Sequence, residues 1–569
     1  MLRTAAVLLL FLVPSAYQAW KSRDMPQLGA QQDGSIAWVS AKSVAEGGGY
    51  RIASLPGQPW QTKYPPLFTL YLSLVWRISP SFPANLPLAT LFCWMWLPVW
   101  LAMAWHLFRD MGASPNHALL LCGVLAVNPH AVFFGMTSMT EVMFSALWMA
   151  SAVLAVRAKD SVGLAALAGL LGGAAYLTKS AALPLVVVVL LYFAMHKRYR
   201  GAIAFAAAML PAMAGWTLWT RAHMTTSSDA TTMYYTNYFG YHLYIVSLRD
   251  VPAVLLKNWD RLLWGIGGVL SGVGETSANG TGSHLEMAAG IWRLLGLAAI
   301  ACAFRQARRI GFNPYHGFAL GHLILLVVWH YPPNERFVFP VLPVFLAGLP
   351  FDVSRIGALF KRSRPLARWG LAGGLALLTS IWILLAGVHV TSGISAAVNG
   401  ARRQLAANRS AYQWIAQNTP AEATFLAYDD PLLYLYTGRA ACRRVVSTRY
   451  FYRDDREGVS EVFRTIPAFA REHHLQYLVT GVGDWHGEML PADLVSNFSR
   501  LAEESPEQKL VFRSPLTRVY RFESEDGHRQ SMKASAPASA DAGSFSAALA
   551  RQPTTPSGRT STAPDSVIP

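Results

Sequence analysis

The chain has 569 residues, 53% of them hydrophobic and only 14% charged, with 48 Lys and Arg against 32 Asp and Glu for a formal net charge of +16. Soluble domains carry about a quarter charged residues, so this balance excludes a wholly soluble protein, while long polar stretches exclude a bare membrane bundle. Excess positive charge fits a nucleic-acid partner only as a patch on a soluble face, so its position along the chain decides its meaning.

A membrane span needs roughly 20 mainly apolar residues. Eleven segments satisfy this in chain order: 4–20, 86–108, 117–135, 140–156, 162–178, 180–195, 201–220, 287–304, 315–331, 335–351 and 369–391. The expected fold class is therefore an α-helical integral membrane bundle. A further apolar stretch, Tyr64 to Ile78, is 15 residues long, with Pro65 and Pro66 near its start and Arg77 near its end. Suppose Arg3 and the N-terminus are cytoplasmic and this stretch lies in the interface. The inner segments then hold fifteen basic residues: Arg3, Arg109, Arg157, Lys159, Lys197, Arg198, Arg200, Arg305, Arg308, Arg309, Arg355, Lys361, Arg362, Arg364 and Arg368. Three acids accompany them, Asp110, Asp160 and Asp352. Were the stretch to cross, every later basic loop would face outward, against the positive-inside bias. A juxtamembrane helix on the outer face is expected instead. Most of the net charge is thus a topology signal, and a nucleic-acid partner drops out. The first segment also fits a cleaved signal peptide, with Arg3 before a short apolar run and Ser15 and Ala16 after it. Either way residue 21 onward emerges outside.

Of the four cysteines, Cys93, Cys122 and Cys302 fall in spans as small apolar packing residues. Cys442 is alone in a soluble segment, so no disulfide is available there, and no metal-ligand spacing is present.

Three outer segments are long. The first, 21–85, holds a helical pattern from Ile36 to Ala45 that Gly47, Gly48 and Gly49 stop. The second, 221–286, is rich in aromatics (Tyr234, Tyr235, Tyr238, Phe239, Tyr241, Tyr244) that suit an interfacial belt, with stacking on sugar or lipid as the alternative. Its piece Leu262 to Val273 is too short to span and is expected to dip into the bilayer surface. The third, 392–526, is expected to be a small C-terminal α/β domain outside the membrane. Helices are predicted at Arg403–Gln417, Leu432–Tyr436 and Phe463–Glu472, strands at Ala423–Tyr428 and Leu475–Thr480, and a closing hairpin from Leu510–Phe512 and Val519–Phe522. His473 and His474 are expected on an exposed helix side. Residues 527–569 are mostly Ser, Ala, Thr and Pro, for which disorder is expected. No inverted repeat of the kind common in transporters is visible.

Polar residues collected on one face of a membrane bundle usually build a site. The outer face collects Asp33, Lys63, Glu141, Lys179, Glu335 and Arg336. Each has a plainer explanation. Asp33 fits a helix cap, and Glu141 a first-turn acid favoured by the helix dipole. Lys63 fits a snorkelling lysine, Lys179 the tip of a helical hairpin, and Arg336 a local pair with Glu335. Together, however, they are what transfer from a lipid phosphate requires. A hydroxyl acceptor needs a carboxylate to take its proton. A departing phosphate needs fixed cations, Arg by its planar fork and Lys as a point charge.

The run Asp33-Gly-Ser-Ile-Ala-Trp-Val-Ser-Ala-Lys-Ser-Val-Ala-Glu-Gly-Gly-Gly-Tyr50, followed by Lys63-Tyr64-Pro65-Pro66-Leu67, resembles the first outer loop of bacterial GT-C superfamily glycosyltransferases, relatives of the protein O-mannosyltransferases and the lipid A aminoarabinose transferase. Met139-Thr140-Glu141-Val142-Met143-Phe144, Leu177-Thr178-Lys179-Ser180-Ala181 and Glu335-Arg336-Phe-Val-Phe-Pro-Val-Leu-Pro343 also resemble family segments, in the expected order. The resemblance covers roughly residues 1 to 350, and the outer α/β domain is similar to tail domains that some members carry. It implies a catalytic membrane domain over 1–391 with outer loop 21–85, and an active site facing the periplasm or cell exterior. It further implies a polyprenyl-phosphate-linked sugar as donor, transfer of a single hexose or pentose with inversion, and Asp33 and Glu141 as catalytic residues, Asp33 as the base and Glu141 orienting the acceptor or Asp33. Lys63, Tyr64, Lys179 and Arg336 are the implied substrate-binding residues. Many members carry an acid directly after the first Asp, where this chain has Gly34, so neither a metal nor another cofactor is expected. The acceptor is a glycan, a lipid or a protein. Two rivals remain open from the sequence: a flippase for lipid-linked sugars, whose cations hold a phosphate without reaction, and a non-catalytic envelope scaffold.

Overall fold

The computed structural model describes residues 2–25, 27–28, 32–272, 283–349, 365–485 and 488–523. The predicted tail 527–569 and the inner basic run Arg355 to Arg364 with Asp352 lie outside these residues.

Among the described residues, Leu86–Asp110, Glu141–Ala158, Tyr199–His223 and Ala376–Asn418 are long and apolar enough to cross a membrane. The pair Pro115–Ala126 and Pro129–Gly135, bent by 65°, makes a fifth if it is one span. Asn128-Pro129 explains the bend. Pro129 has no N–H to continue the helical ladder, so Asn128 restarts the helix by accepting from the amides of His130 and Ala131 and donates to the Val269 carbonyl at 2.8 Å. The Val162–Thr178, Ser180–Met195 and Pro314–Val328 segments are shorter apolar helices, as is Leu67–Ile78, the predicted juxtamembrane piece.

The Gly-rich run from Leu262 is the second half of a 21-residue helix, Val251–Ser271, closed by Gly272 in the left-handed region. Its glycines are a packing face. A Cβ on Gly267 would overlap the Trp292 carbonyl of the neighbouring helix Ser283–Ile310, where Gly296 in turn approaches Leu263. Small residues let helix backbones meet in this way, and Arg293 and Asp260 pair bidentately beside the contact at 2.6 and 2.8 Å.

The C-terminal region is a five-stranded sheet of order β2-β1-β3-β5-β4. Its strands are β1 (Thr424–Ala427), β2 (Ala440–Cys442), β3 (Tyr477–Gly481), β4 (Gln508–Arg513) and β5 (Thr517–Phe522). β1 runs parallel to β2 and β3, and β5 antiparallel to β3 and β4. The predicted helix Phe463–Glu472 is two helices, Arg456–Arg464 and Ile466–Glu472, because Pro467 cannot continue the first ladder. β2 escaped the sequence because three residues carry no alternation to detect. His473 reaches toward Asp229, 3.7 Å away, and His474 has positive φ just past the helix end.

Successive strand residues face opposite ways. Phe425, Ala427, Tyr477, Val479 and Val519 pack with Tyr412 and Ile415 of the helix Ile394–Asn418. Leu426, Cys442, Leu478 and Tyr520 pack with Phe463, Trp485 and Phe498, and with Ile36 and Val39 from the other end of the chain. Ile36 and Val39 belong to the helix Gln32–Ala45, whose Ala37, Trp38 and Ala41 lie instead in the core of the bundle. Apolar residues of this one helix thus pack into two separate cores. Gln32–Ala45 is a wedge between two cores, and its first turn carries Asp33.

Candidate active site

One cavity of about 720 Å³ lies where the bundle meets the sheet. Its walls differ. Part of the lining is apolar, with Pro129, Phe133 and Phe134 of the bent helix and Leu183, Leu325 and Ile394. The sheet region contributes lining from the chain after β1 (Tyr428, Asp429), after β2 (Ser447, Thr448) and after β3 (Glu488). β1 has a parallel neighbour on each side, and the carboxyl ends of strands at such a switch point are where open α/β sheets bind ligands.

Between the walls stand the residues singled out from the sequence. Asp33, Lys63, Tyr64, Lys179 and Arg336 all line the cavity. Arg336 joins them. Its Nη2 donates to Asp33 Oδ2 at 2.5 Å and its Nε to Glu141 Oε1 at 2.7 Å. Lys179 Nζ donates to the same Glu141 oxygen at 2.9 Å. Tyr64 donates its hydroxyl to Asp33 Oδ1. The plainer explanations resolve accordingly. Both oxygens of Asp33 accept from side chains across the cavity. Arg336 bridges Asp33 and Glu141, 303 and 195 residues away in sequence. Lys179 does sit at a helix break, extended between Val162–Thr178 and a short 3-10 turn, and the break is what turns its side chain into the site. Glu141 does begin its helix, but it is fully buried and does not line the cavity. It holds two cations from behind.

Lys63 is buried rather than snorkelling. Its Nζ lies 3.3 Å from the Tyr234 ring centroid, 4.8 Å from that of Tyr238 and 4.9 Å from that of Tyr64. Tyr234, Tyr238 and Tyr241 thus line the cavity, correcting the expectation of an interfacial belt. Their rings supply negative faces to the ammonium. Burial pushes Lys63 down to about 7, against the pull of Asp33. Burial alone would raise Asp33, but the Arg336 and Lys63 charges outweigh it and hold the carboxyl well below the usual range.

The sequence missed the sheet side of the site. Burial pushes Asp429 up to about 6 and Asp430 to about 7, while Arg443 pulls both down. Asp484, just past β3, is pushed up to about 8 by burial and then by Asp429. Two acids directly after a predicted strand were a signal available in the sequence. Arg443, which is buried and paired with Glu488, left none.

Among the described residues no three His, Cys, Asp or Glu side chains converge as a metal-holding group. A Cβ at Gly34 would overlap the Ser138 carbonyl oxygen, so a second acid beside Asp33 has no room.

No protein-family model matches the chain, and no curated protein matches it by sequence. Solved structures do. The oligosaccharyltransferase of Archaeoglobus fulgidus, tethered with an acceptor peptide, superposes with a TM-score of 0.51 at 12% identity, covering 91% of this chain and 74% of that one. The chain shares the fold of that oligosaccharyltransferase. ArnT from Cupriavidus metallidurans, bound to undecaprenyl phosphate, gives a TM-score of 0.49 at 13% identity over 91% of this chain and 98% of that one. AglB from Archaeoglobus fulgidus, in complex with an inhibitory peptide and a dolichol-phosphate, gives 0.47 at 12% identity over 83% and 69%. With four or five membrane-length helices among the described residues, the chain is a membrane protein.

Proposed function

We propose that this GT-C protein is a glycosyltransferase that moves a single sugar, a hexose or pentose, from a polyprenyl-phosphate carrier to a glycan, lipid or protein acceptor on the outer face of the membrane. The observation that carries the reading is the convergence of Asp33, Lys63, Lys179 and Arg336 on one cavity whose lining is also in part apolar. The apolar lining suits a polyprenyl tail, and the cations suit its phosphate.

In the resting site Asp33 is a poor base, because Arg336 and Tyr64 occupy its oxygens. A lipid phosphate that draws Arg336 and Lys63 toward itself would release the carboxylate and make it more basic. The acceptor hydroxyl then attacks the sugar C1 as its proton passes to Asp33. The bond from C1 to phosphate oxygen breaks with its electron pair staying on the phosphate, and attack opposite the leaving group inverts C1. Lys63, Lys179 and Arg336 meet the charge that grows on the leaving phosphate. Glu141 keeps Lys179 and Arg336 in place and is a positioning residue. No step calls for a cofactor beyond the donor.

The reading extends to the whole chain: about eleven spans over 1–391 with the N-terminus cytoplasmic, and an α/β domain over 392–526 on the outer side. Asp33→Asn tests it in membranes from the native host, which supply donor and acceptor. Discharge of polyprenyl-phosphate sugar, followed by mass spectrometry, should slow by about 10²- to 10⁴-fold, while binding of added undecaprenyl phosphate persists. Discharge at the wild-type rate by a folded Asp33→Asn protein would overturn Asp33 as the base.

A further inference from the structure

Asp33 stands in the first turn of its helix, and helix ends are held more weakly than helix middles. Its neighbour Gln32 is held with unusual completeness. Gln32 Nε2 donates to Asp430 Oδ1 at 2.9 Å and to the Tyr235 hydroxyl at 3.0 Å. Gln32 Oε1 accepts from Arg443 Nη1 at 2.7 Å and from the Tyr234 hydroxyl at 2.9 Å. The Tyr235 hydroxyl itself donates to Asp430 Oδ1 at 3.0 Å, closing a triangle. Asp430 is fully buried and Arg443 nearly so, and both come from the sheet region, about 400 residues downstream. Asp430 Oδ2 is buried without a hydrogen-bond partner among the described residues. A buried carboxyl left half-unpartnered costs stability, so its place is better explained by what Oδ1 holds.

We propose that Asp430 and Arg443 act through Gln32 as a clamp that fixes the first turn of Gln32–Ala45, and with it the Asp33 carboxylate. They are positioning residues for the transfer, and the sheet region completes the reacting site. This rests on the reading of Asp33 as the base. Position matters because a misplacement of about 1 Å can cost on the order of a hundredfold in rate. The role asked of Asp430 is that of a hydrogen-bond acceptor. An asparagine, whose carbonyl oxygen also accepts, should replace it, and a leucine should not.

The test compares the full-length wild type with Asp430→Asn, Asp430→Leu and Gln32→Leu. Hydrogen exchange at the amides of residues 36–38, which bond to first-turn carbonyls, should be about fivefold faster in Asp430→Leu and Gln32→Leu and unchanged in Asp430→Asn. Sugar discharge in native membranes should fall by on the order of tenfold to a hundredfold in the same two variants, while undecaprenyl phosphate binding stays at the wild-type level. If Asp430→Leu does not fold, Gln32→Leu carries the same expectation, since it leaves the sheet core untouched. Unchanged exchange in both leucine variants would overturn the clamp, as would equal loss in Asp430→Asn and Asp430→Leu. The exchange readout does not depend on the reaction, so failure of the clamp is separable from failure of Asp33 as base.

Discussion

The bundle side and the sheet side of the site treat their carboxylates in opposite ways. On the bundle side Glu141 accepts from both Lys179 and Arg336, and Asp33 from Arg336 and Tyr64. On the sheet side Asp429, Asp430 and Asp484 gather around one arginine, Arg443, and burial drives all three upward. The bundle side therefore carries fixed charge, suited to a phosphate. The sheet side carries protonatable hydrogen-bonding groups, suited to holding a position or meeting hydroxyls.

The contrast breaks most visibly if an anion is removed from each wall. Glu141→Gln leaves two cations against one buried neutral amide and should cost about 3 to 5 kcal/mol, whereas Asp429→Asn should be neutral or stabilising. Thermal unfolding in detergent compares them, and equal losses would erase the distinction. The next effect is on binding. Lys63→Met removes one charged contact to the lipid phosphate and should weaken undecaprenyl phosphate binding by about tenfold to a hundredfold, whereas Asp429→Asn leaves that affinity unchanged.

Part of this arrangement was legible in the sequence. The charge bias, the apolar segments and the order of short motifs pointed to a GT-C bundle and to Asp33, Glu141, Lys63, Tyr64, Lys179 and Arg336, which the fold brings together. The tyrosines of 234–241 were misplaced because an aromatic cluster beside a span has the same composition whether it meets lipid or cages a lysine. Gln32 was invisible for another reason. A glutamine before an acid carries no pattern, and its four partners come from two distant parts of the chain.

Two smaller effects sharpen the comparison through pH. Lys63 is pushed down to about 7 in the free protein. Below that pH its ammonium is in place for a phosphodiester donor. Above it, binding must also take up a proton, so the donor's Kd should be flat below pH 7 and rise by up to about tenfold per pH unit above. Lys63→Arg should flatten the profile, and titrations from pH 6 to 9 decide. Asp430 has the opposite sign. Its folded value of about 7 lies above its ordinary 3.8, so between these the folded state keeps a proton that the unfolded chain has lost, and stability falls as pH rises. Asp430→Asn should therefore raise Tm by a few degrees, roughly 2 to 4 °C per kcal/mol, at pH 8 and not at pH 4. A gain at both would mean that packing, not ionisation, sets the cost.

The central claim is that Asp33 and the cations around it perform sugar transfer from a lipid phosphate. Mass spectrometry of envelope glycans and polyprenyl lipids tests it most directly, in cells expressing wild type or Asp33→Asn at equal level. The account predicts an acceptor lighter by one sugar and an accumulated polyprenyl-phosphate sugar in the variant. Identical glycan and lipid profiles in the two would contradict it.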